Sequence, residues 1–185
     1  MAPRYDKLLV LDLDETLIHA TYIPLGRAPE QCVGPYAVYH RPGVADFLER
    51  SLAGFEVGIW TASTLGYALP VLASLVARER LAFIWGRERC TLRYDPETHE
   101  YERLKDLKKL CRRGYDRTKV LFVDDTPAKI ARSYGNYVRV EPYLGAPEDG
   151  ELQALATYLD HLGPVDDVRR IEKRGWRQRH AKSGD

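Results

Sequence analysis

The sequence predicts an α/β fold, a central parallel sheet whose strands are joined by crossover helices. Three observations predict it. Short β-rich apolar runs alternate with segments of helical period along most of the chain. The first run, Leu8–Leu11, is apolar throughout, the mark of a buried strand. Chemistry-bearing residues gather where these runs end, and open α/β sheets form their sites at the carboxyl ends of strands. With 185 residues and 44% apolar content the chain can bury a real core. We expect one domain over residues 1–175 and a basic, flexible tail over 176–185.

Residues 8–12 read as the first strand, inside the run LLVLDLDETLIHA. Residues 18–40 hold Pro24, Gly26, Pro29, Gly34 and Pro35 and read as a loop or small hairpin flap, with a short strand at Tyr36–Tyr39. Arg41-Pro42-Gly43 then opens a helix with Val44, Phe47, Leu48 and Leu52 on one face. Phe55–Trp60 is the second strand, and a helical segment follows to about Arg78, with Pro70 expected to kink it or to mark its first turn. Leu81–Trp85 is the third strand, and residues 90–101 read as a hairpin around Asp95-Pro96-Glu97-Thr98. Leu104, Leu107, Leu110 and Cys111 predict a helix ending at Gly114, with Lys105 on it. Lys119–Val123 is the fourth strand and delivers Asp124-Asp125. Thr126-Pro127 then reads as an N-cap followed by proline at the first helical position. Tyr137–Val140 is the fifth strand, and Leu152, Leu155, Leu159 and Leu162 form a helix face closed by Gly163-Pro164.

Composition excludes several classes. A formal charge of +1 demands neither a nucleic acid nor a membrane as partner. No apolar run approaches the ~20 residues that span a bilayer. The start, MAPRYDK, lacks a signal peptide's apolar segment. Cys32, Cys90 and Cys111 are odd in number and widely spaced, which fits a reducing cytoplasm better than a disulfide framework.

Three strand ends carry chemistry: Asp12 and Asp14, Thr61, and Asp124 with Asp125. Two carboxylates spaced i and i+2, with the Thr16 hydroxyl two residues on, look like a nucleophile, its acid/base partner and an orienting group. Phosphoryl transfer needs such parts. A nucleophilic carboxylate and a phosphate dianion repel each other, so a divalent cation must neutralise the site. Asp12 with Asp124 or Asp125 offers hard oxygen ligands of the kind Mg²⁺ takes. Thr61, with the backbone N–H groups after it from Ala62 on, can hold a phosphate oxygen. Lys105 can neutralise remaining charge. Asp14 can protonate the leaving group and then deprotonate water.

The motifs DLDET, WTAS, the Lys of LKDL, and VDDTP resemble the four motifs of the haloacid dehalogenase (HAD) superfamily. LDLDETLIH, RPGVADFLER, WTAS, KDLKKL, LFVDDTP and the late VDDV are similar, more narrowly, to the phosphatase domain of the FCP/SCP-type family. That family is also called NLI-interacting-factor-like, and its eukaryotic members act on the RNA polymerase II tail. The resemblance runs from about Leu8 to Ile171. It implies a Rossmann-like HAD fold in which Asp12 forms an aspartyl-phosphate and Asp14 is the general acid/base. Asp12, the Asp14 carbonyl and the Asp124/Asp125 pair would hold Mg²⁺, while Thr61 and Lys105 grip the phosphate. An aspartate at position 14 sorts the chain with phosphomonoester hydrolases in that superfamily. The substrate implied is a phosphorylated protein (Ser/Thr or Tyr) or another phosphorylated macromolecule. A nucleic-acid end or a small molecule is the alternative substrate, and a catalytically silent binding module the alternative class. The segment between Thr16 and Arg41 is shorter than the family's peptide-binding insert. It is too short and too rich in Pro and Gly for a helical cap, so a small flap and an open site are expected.

Other signals carry less. Cys111 and Arg117 have the spacing of cysteine phosphatases, but Cys111 precedes a strand instead of following one. His19 and Glu15 read as packed or solvated, and Trp60 and Trp85 as core or rim. From Arg169 to Lys182 seven basic residues face one acid, Glu172, which reads as a solvated terminus or as contact with an acidic or nucleic-acid partner.

Overall fold

The structure, a computed structural model, describes residues 2–97 and 99–181. Five strands form the parallel sheet: β1 (Leu8–Leu11), β5 (Glu56–Trp60), β6 (Phe83–Trp85), β9 (Val120–Asp124) and β10 (Tyr137–Arg139). Their order across the sheet is β10-β9-β1-β5-β6. The chain therefore steps outward from β1 to β5 and β6, then returns to lay β9 and β10 on the other side. β1 lies at the reversal point, where open α/β sheets leave a crevice at their carboxyl ends.

Both faces of the sheet are buried, which is why its strands lack polar alternation. Leu9 and Leu11 of β1, Val57 and Ile59 of β5, and Leu121 and Val123 of β9 share one core with the helices. Those helices are α1 (Val44–Gly54), α2 (Leu65–Ala73) and α4 (Glu151–Leu162), and all four leucines expected on the face of α4 are buried. Leu8, Val10, Trp60, Trp85, Val120 and Phe122 form the core on the opposite face. Trp60 and Trp85 meet there edge to face at 4.8 Å, so both are core. Gly58 is required in this layer: a Cβ on it would stand 2.4 Å from the Phe83 ring.

The segment 18–40 is more ordered than expected. β2 (Ile18–Thr21), β3 (Gln31–Val33) and β4 (Tyr36–His40) form an antiparallel sheet in the order β2-β4-β3. This sheet is the only insert among the described residues between β1 and α1, and it contains no helix. β7 (Thr91–Asp95) and β8 (Glu100–Leu104) form the expected hairpin, whose tip residue Thr98 lies outside the described residues.

Four expectations need correction. The helix after β5 stops at Ala73, short of Arg78, and Pro70 lies in its interior, past the first turn. The helix expected to carry Lys105 is one turn, α3 (Lys108–Cys111). Leu104 is used up in pairing β8 with β7, and the Asp106 carboxylate turns the chain by accepting the Lys108 N–H at 3.0 Å. Lys105 therefore sits in the β8–α3 loop. Thr126 makes no side-chain cap, although Pro127 does open a 3₁₀ turn, Pro127–Ile130. Packed chain also continues past residue 175: Trp176–Ala181 is the helix α5, and Trp176 is buried and stacked on Tyr158 at 5.0 Å. The rest of the expected tail, residues 182–185, lies outside the described residues.

Candidate active site

Register brings the site together. Leu11 pairs with Val123 of β9 and with Ile59 of β5, so the next residues along these three strands converge at one edge of the sheet. Asp12 follows β1, Asp124 ends β9, and Thr61 follows β5. The backbone ladder continues into the site, with the Asp12 N–H donating to the Val123 carbonyl at 2.9 Å and the Thr61 N–H to the Trp85 carbonyl at 2.9 Å. Asp12, Asp124, Thr61 and Lys105 are all 2% exposed or less. Charges so buried must be paired, and they are.

Lys105 Nζ lies 2.8 Å from Asp12 Oδ1 and 2.6 Å from Asp124 Oδ2. Lys129 Nζ lies 2.8 Å from Asp12 Oδ2, and 3.5 Å from both Asp124 Oδ1 and Asp125 Oδ1. The Lys105 N–H donates to the Lys129 carbonyl at 2.8 Å, which ties the two lysines together. Burial alone would raise the Asp12 carboxyl, but the two ammonium groups outweigh it and hold Asp12 well below the usual carboxylate range. Asp124 moves the other way, pushed up by burial and by the Asp12 charge. Burial works against the Lys129 ammonium, yet Asp12 and Asp124 raise it above the ordinary lysine value.

Asp12, Asp124 and Asp125 each offer one oxygen, and these oxygens lie within 4.8 Å of one another. Asp12 Oδ1 and Asp125 Oδ1 are buried and accept no well-directed hydrogen bond among the described residues. Three carboxylate oxygens drawn this close to one another fit a hard divalent cation.

Asp14 occupies a separate niche beside this cluster, half-buried. Its Oδ2 accepts from the Thr61 hydroxyl at 3.1 Å and the Ser63 hydroxyl at 2.8 Å, and its Oδ1 accepts from the Tyr67 phenol at 2.8 Å. Thr61 Oγ1 also accepts the Ser63 N–H at 2.9 Å. Thr61 thus lies against Asp14 rather than Asp12, with half-buried Ala62 between it and Ser63 in the chain. Burial and the Asp14 charge raise the Tyr67 phenol. Glu15 turns the chain just past Asp14 with φ of 59°, an uncommon value for a residue with a side chain. The turn is held by the Glu15 N–H on the Ile18 carbonyl at 2.8 Å and the Tyr143 N–H on the Glu15 carbonyl at 2.7 Å. The Glu15 carboxylate meets His19 Nδ1 at 2.8 Å.

The Thr16 hydroxyl is buried with no hydrogen bond among the described residues, and Thr16 supports the loop through its backbone instead. Its carbonyl accepts from Arg41 Nη1 at 3.1 Å, while Arg41 binds Asp149 through two bonds of 2.9 Å.

Sequence reasoning missed three residues here: Lys129, Ser63 and Tyr67. Lys129 follows the Asp124-Asp125 pair by one short turn, and its signal was a cation on the first turn after a paired acid. Ser63 and Tyr67 were legible only as the start of a helix that points back over the strand end.

Comparison with known proteins agrees with this geometry. The family model for NLI interacting factor-like phosphatase matches residues 7–169. A probable C-terminal domain small phosphatase of Dictyostelium discoideum is 33% identical over 180 residues, covering 92% of this chain and 56% of that protein. The human carboxy-terminal domain RNA polymerase II polypeptide A small phosphatase 1 is 35% identical over 172 residues, covering 88% and 62%. The chain thus spans a little over half the length of these curated relatives. Among solved structures, the fission yeast RNA polymerase II CTD phosphatase Fcp1 bound to beryllium fluoride superposes with a TM-score of 0.55 at 19% identity, over 96% of this chain and 50% of that one. That likeness carries the fold alone, the α/β parallel sheet. With its motifs, its sheet order and its matched residues in accord, the chain belongs to the NLI interacting factor-like phosphatase family.

Proposed function

We propose that this chain hydrolyses phosphomonoesters through a covalent aspartyl-phosphate, with a phosphorylated protein side chain as its substrate. One observation carries the reading. A buried carboxylate, Asp12, is kept ionised by two lysines at a strand end, while a second carboxylate, Asp14, is held apart from it by three hydroxyl groups. Two carboxylates in unlike environments suit two roles.

Asp12 attacks phosphorus and the ester oxygen departs, taking its proton from Asp14. Asp14, then a carboxylate, deprotonates a water that attacks the phosphorus of the Asp12 acyl-phosphate, releasing inorganic phosphate and restoring Asp12. Hydroxyls donate to a carboxylate and accept from an acid, so Thr61 and Ser63 can serve Asp14 in both forms. Lys105 and Lys129 offset phosphate charge, and the Ala62 backbone N–H would donate to a substrate oxygen. Asp12, Asp124 and Asp125, with the Asp14 carbonyl, would hold a divalent cation, Mg²⁺ by the hardness of its ligands. When bound, that ion supplies positive charge against the phosphoryl oxygens.

The relatives named as phosphatases of the polymerase II carboxy-terminal domain support a protein substrate. The short β2–β4 sheet in place of a cap supports a macromolecular one. Free Cys32, Cys90 and Cys111 support a reducing, cytoplasmic setting, and no described helix is long and apolar enough to cross a membrane. The test is hydrolysis of p-nitrophenyl phosphate with and without Mg²⁺, followed by a panel of phosphopeptides, 5′- and 3′-phosphorylated oligonucleotides and sugar phosphates. Asp12→Asn should abolish turnover while the protein stays folded. Retained turnover in that variant rules out the covalent route, and a sugar phosphate cleaved orders of magnitude faster than every macromolecule rules out the substrate class.

A further inference from the structure

A cavity of about 970 Å³ lies between β10, the turn at Tyr134-Gly135 and the segment 169–178. Six of its lining side chains are basic, and only Glu141 and Glu172 are acidic, in a chain whose formal charge is +1. Five of the six lie in one basic stretch of the sequence, 169–177, and the fold lays Arg139 of β10 beside them.

Buried anchors hold this surface in shape. The Lys173 ammonium is spent on the carbonyls of Gly135 at 2.8 Å, Ile171 at 3.0 Å and Val168. Trp176 Nε1 donates to the Arg139 carbonyl at 2.7 Å, which closes the open edge of β10. Lys173 thus builds the groove, and five arginines face it.

These arginines differ in availability. Arg177 is committed to Glu151. Arg170 and Arg174 make exposed pairs with Asp167 and Glu172, a kind of pair that exchanges readily for another anion. Among the described residues, no carboxylate stands within ion-pair distance of Arg139 or Arg169, both exposed. Tyr134, on the same wall, is 63% exposed, a large flat ring left facing water.

Forked guanidinium groups match phosphate oxygens. An exposed phenol beside them matches the face of an unstacked base, which a duplex does not offer. A concave groove admits one strand. We propose that this groove binds single-stranded nucleic acid, with its phosphates on Arg139 and Arg169, exchangeable help from Arg170 and Arg174, and a base stacked on Tyr134. The groove adjoins the catalytic edge. Arg139 pairs in register with Asp124, and Pro127, a lining residue, opens the turn that carries Lys129. The binding itself does not depend on the phosphatase reading.

The test is fluorescence anisotropy of the full chain with a labelled oligothymidylate of about ten nucleotides, lacking a terminal phosphate, across a salt series. Binding should weaken with salt at a log–log slope of about −1.5 to −3, the value for two to four phosphates on a single strand. Arg139→Glu with Arg169→Glu should weaken binding at least about tenfold and flatten that slope. Tyr134→Ala should cost about tenfold with the slope unchanged. Both variants change exposed side chains and should hydrolyse p-nitrophenyl phosphate as the parent does. No binding at low salt overturns the proposal, and so do variants that bind like the parent. Equal affinity for a polyglutamate or a multiply phosphorylated peptide of matched charge also overturns it, because the groove would then serve acidic proteins.

Discussion

Lys129→Met removes one of the two cations facing three carboxylates and leaves a side chain of similar length. In the parent, Lys129 Nζ stands 2.8 Å from Asp12 and 3.5 Å from Asp124 and Asp125. Breaking a buried pair by removing one partner costs ~3–5 kcal/mol. Lys129 retains some contact with water, its side chain being 21% exposed, and Asp124 already holds its proton more tightly than a free carboxylate. Both lower the cost, to about 2–4 kcal/mol in metal-free buffer. At ~2–4 °C per kcal/mol for a domain of this size, Tm should fall by about 4–16 °C. Divalent cation should then reverse the loss. An ion that binds the folded state alone at a hundredfold its Kd adds ~2.7 kcal/mol. In the variant it no longer displaces an ammonium from the same oxygens, so its affinity should rise and its Tm increment should exceed the parent's. The assay is thermal unfolding followed by circular dichroism, with EDTA and over a Mg²⁺ titration. A metal-free variant melting within about 2 °C of the parent refutes the electrostatic argument. Equal Mg²⁺ increments in both proteins refute the overlap of Lys129 with the cation's oxygens.

Three further outcomes are expected. EDTA should silence hydrolysis and Mg²⁺ should restore it, since the clustered ligands are all carboxylate oxygens; full turnover in rigorously metal-free buffer excludes the site. Asp14→Asn should slow alkyl phosphates far more than aryl phosphates, whose leaving groups need less protonation, and Tyr67→Phe should show the same bias in milder form; equal losses on both ester types remove Asp14 from the acid role. Arg41→Ala should destabilise by ~3–5 kcal/mol in urea unfolding because it strands Asp149 and the Thr16 carbonyl, and Arg41→Lys should not rescue the forked geometry; a loss under about 1 kcal/mol contradicts that.

Elements whose register is fixed by a buried face were legible in the sequence. All five sheet strands were located to within a few residues because both faces of each are apolar, and α1 and α4 because one face of each carries the core. The carboxylates and Thr61 were legible for the same reason: a strand end is where the apolar run stops. Lys105 was assigned to the site on its order in the chain, and its place on a helix was wrong. A leucine at position 104 satisfies helix and hairpin spacing alike, and pairing with Thr91 decided between them. Segment 18–40 was opaque because Pro and Gly mark turns without saying what the turns join. Its sheet is held by tertiary contacts such as Tyr143 on the His40 carbonyl at 3.0 Å. Lys129 had only its place one short turn after the paired acid to mark it, and on a surface turn a lysine is ordinarily solvated. Only the β1–β9 pairing turns it inward. Trp176 was taken for part of a frayed tail because its neighbours are basic, yet one indole with its N–H on a β10 carbonyl is enough to dock the segment.

The same return of the chain to β1 explains both the concentration of charge and the means of reaching it. Placing β9 beside β1 sets Asp124 against Asp12, a repulsion no fold tolerates without cations, and the two lysines come from the β8–α3 loop and from the turn that leaves β9. Placing β5 on the other side sets Thr61, Ser63 and Tyr67 around Asp14, on the solvent side of the carboxylate cluster. Asp14 is thereby the more exposed of the two first-strand carboxylates and Asp12 the deeper, as the proposed roles of acid/base and nucleophile require. A phosphate on a projecting side chain can reach Asp12 past Asp14 while the chain that carries it stays outside. The antiparallel β2–β4 sheet, its strands only three to five residues long, meets the Asp14 niche through the Tyr36 ring, 5.5 Å from that of Tyr67. A site of this depth draws its binding energy from the charges at its floor and from whatever the rest of the substrate touches around the rim. Small phosphate esters supply only the first contribution, and a macromolecule supplies both.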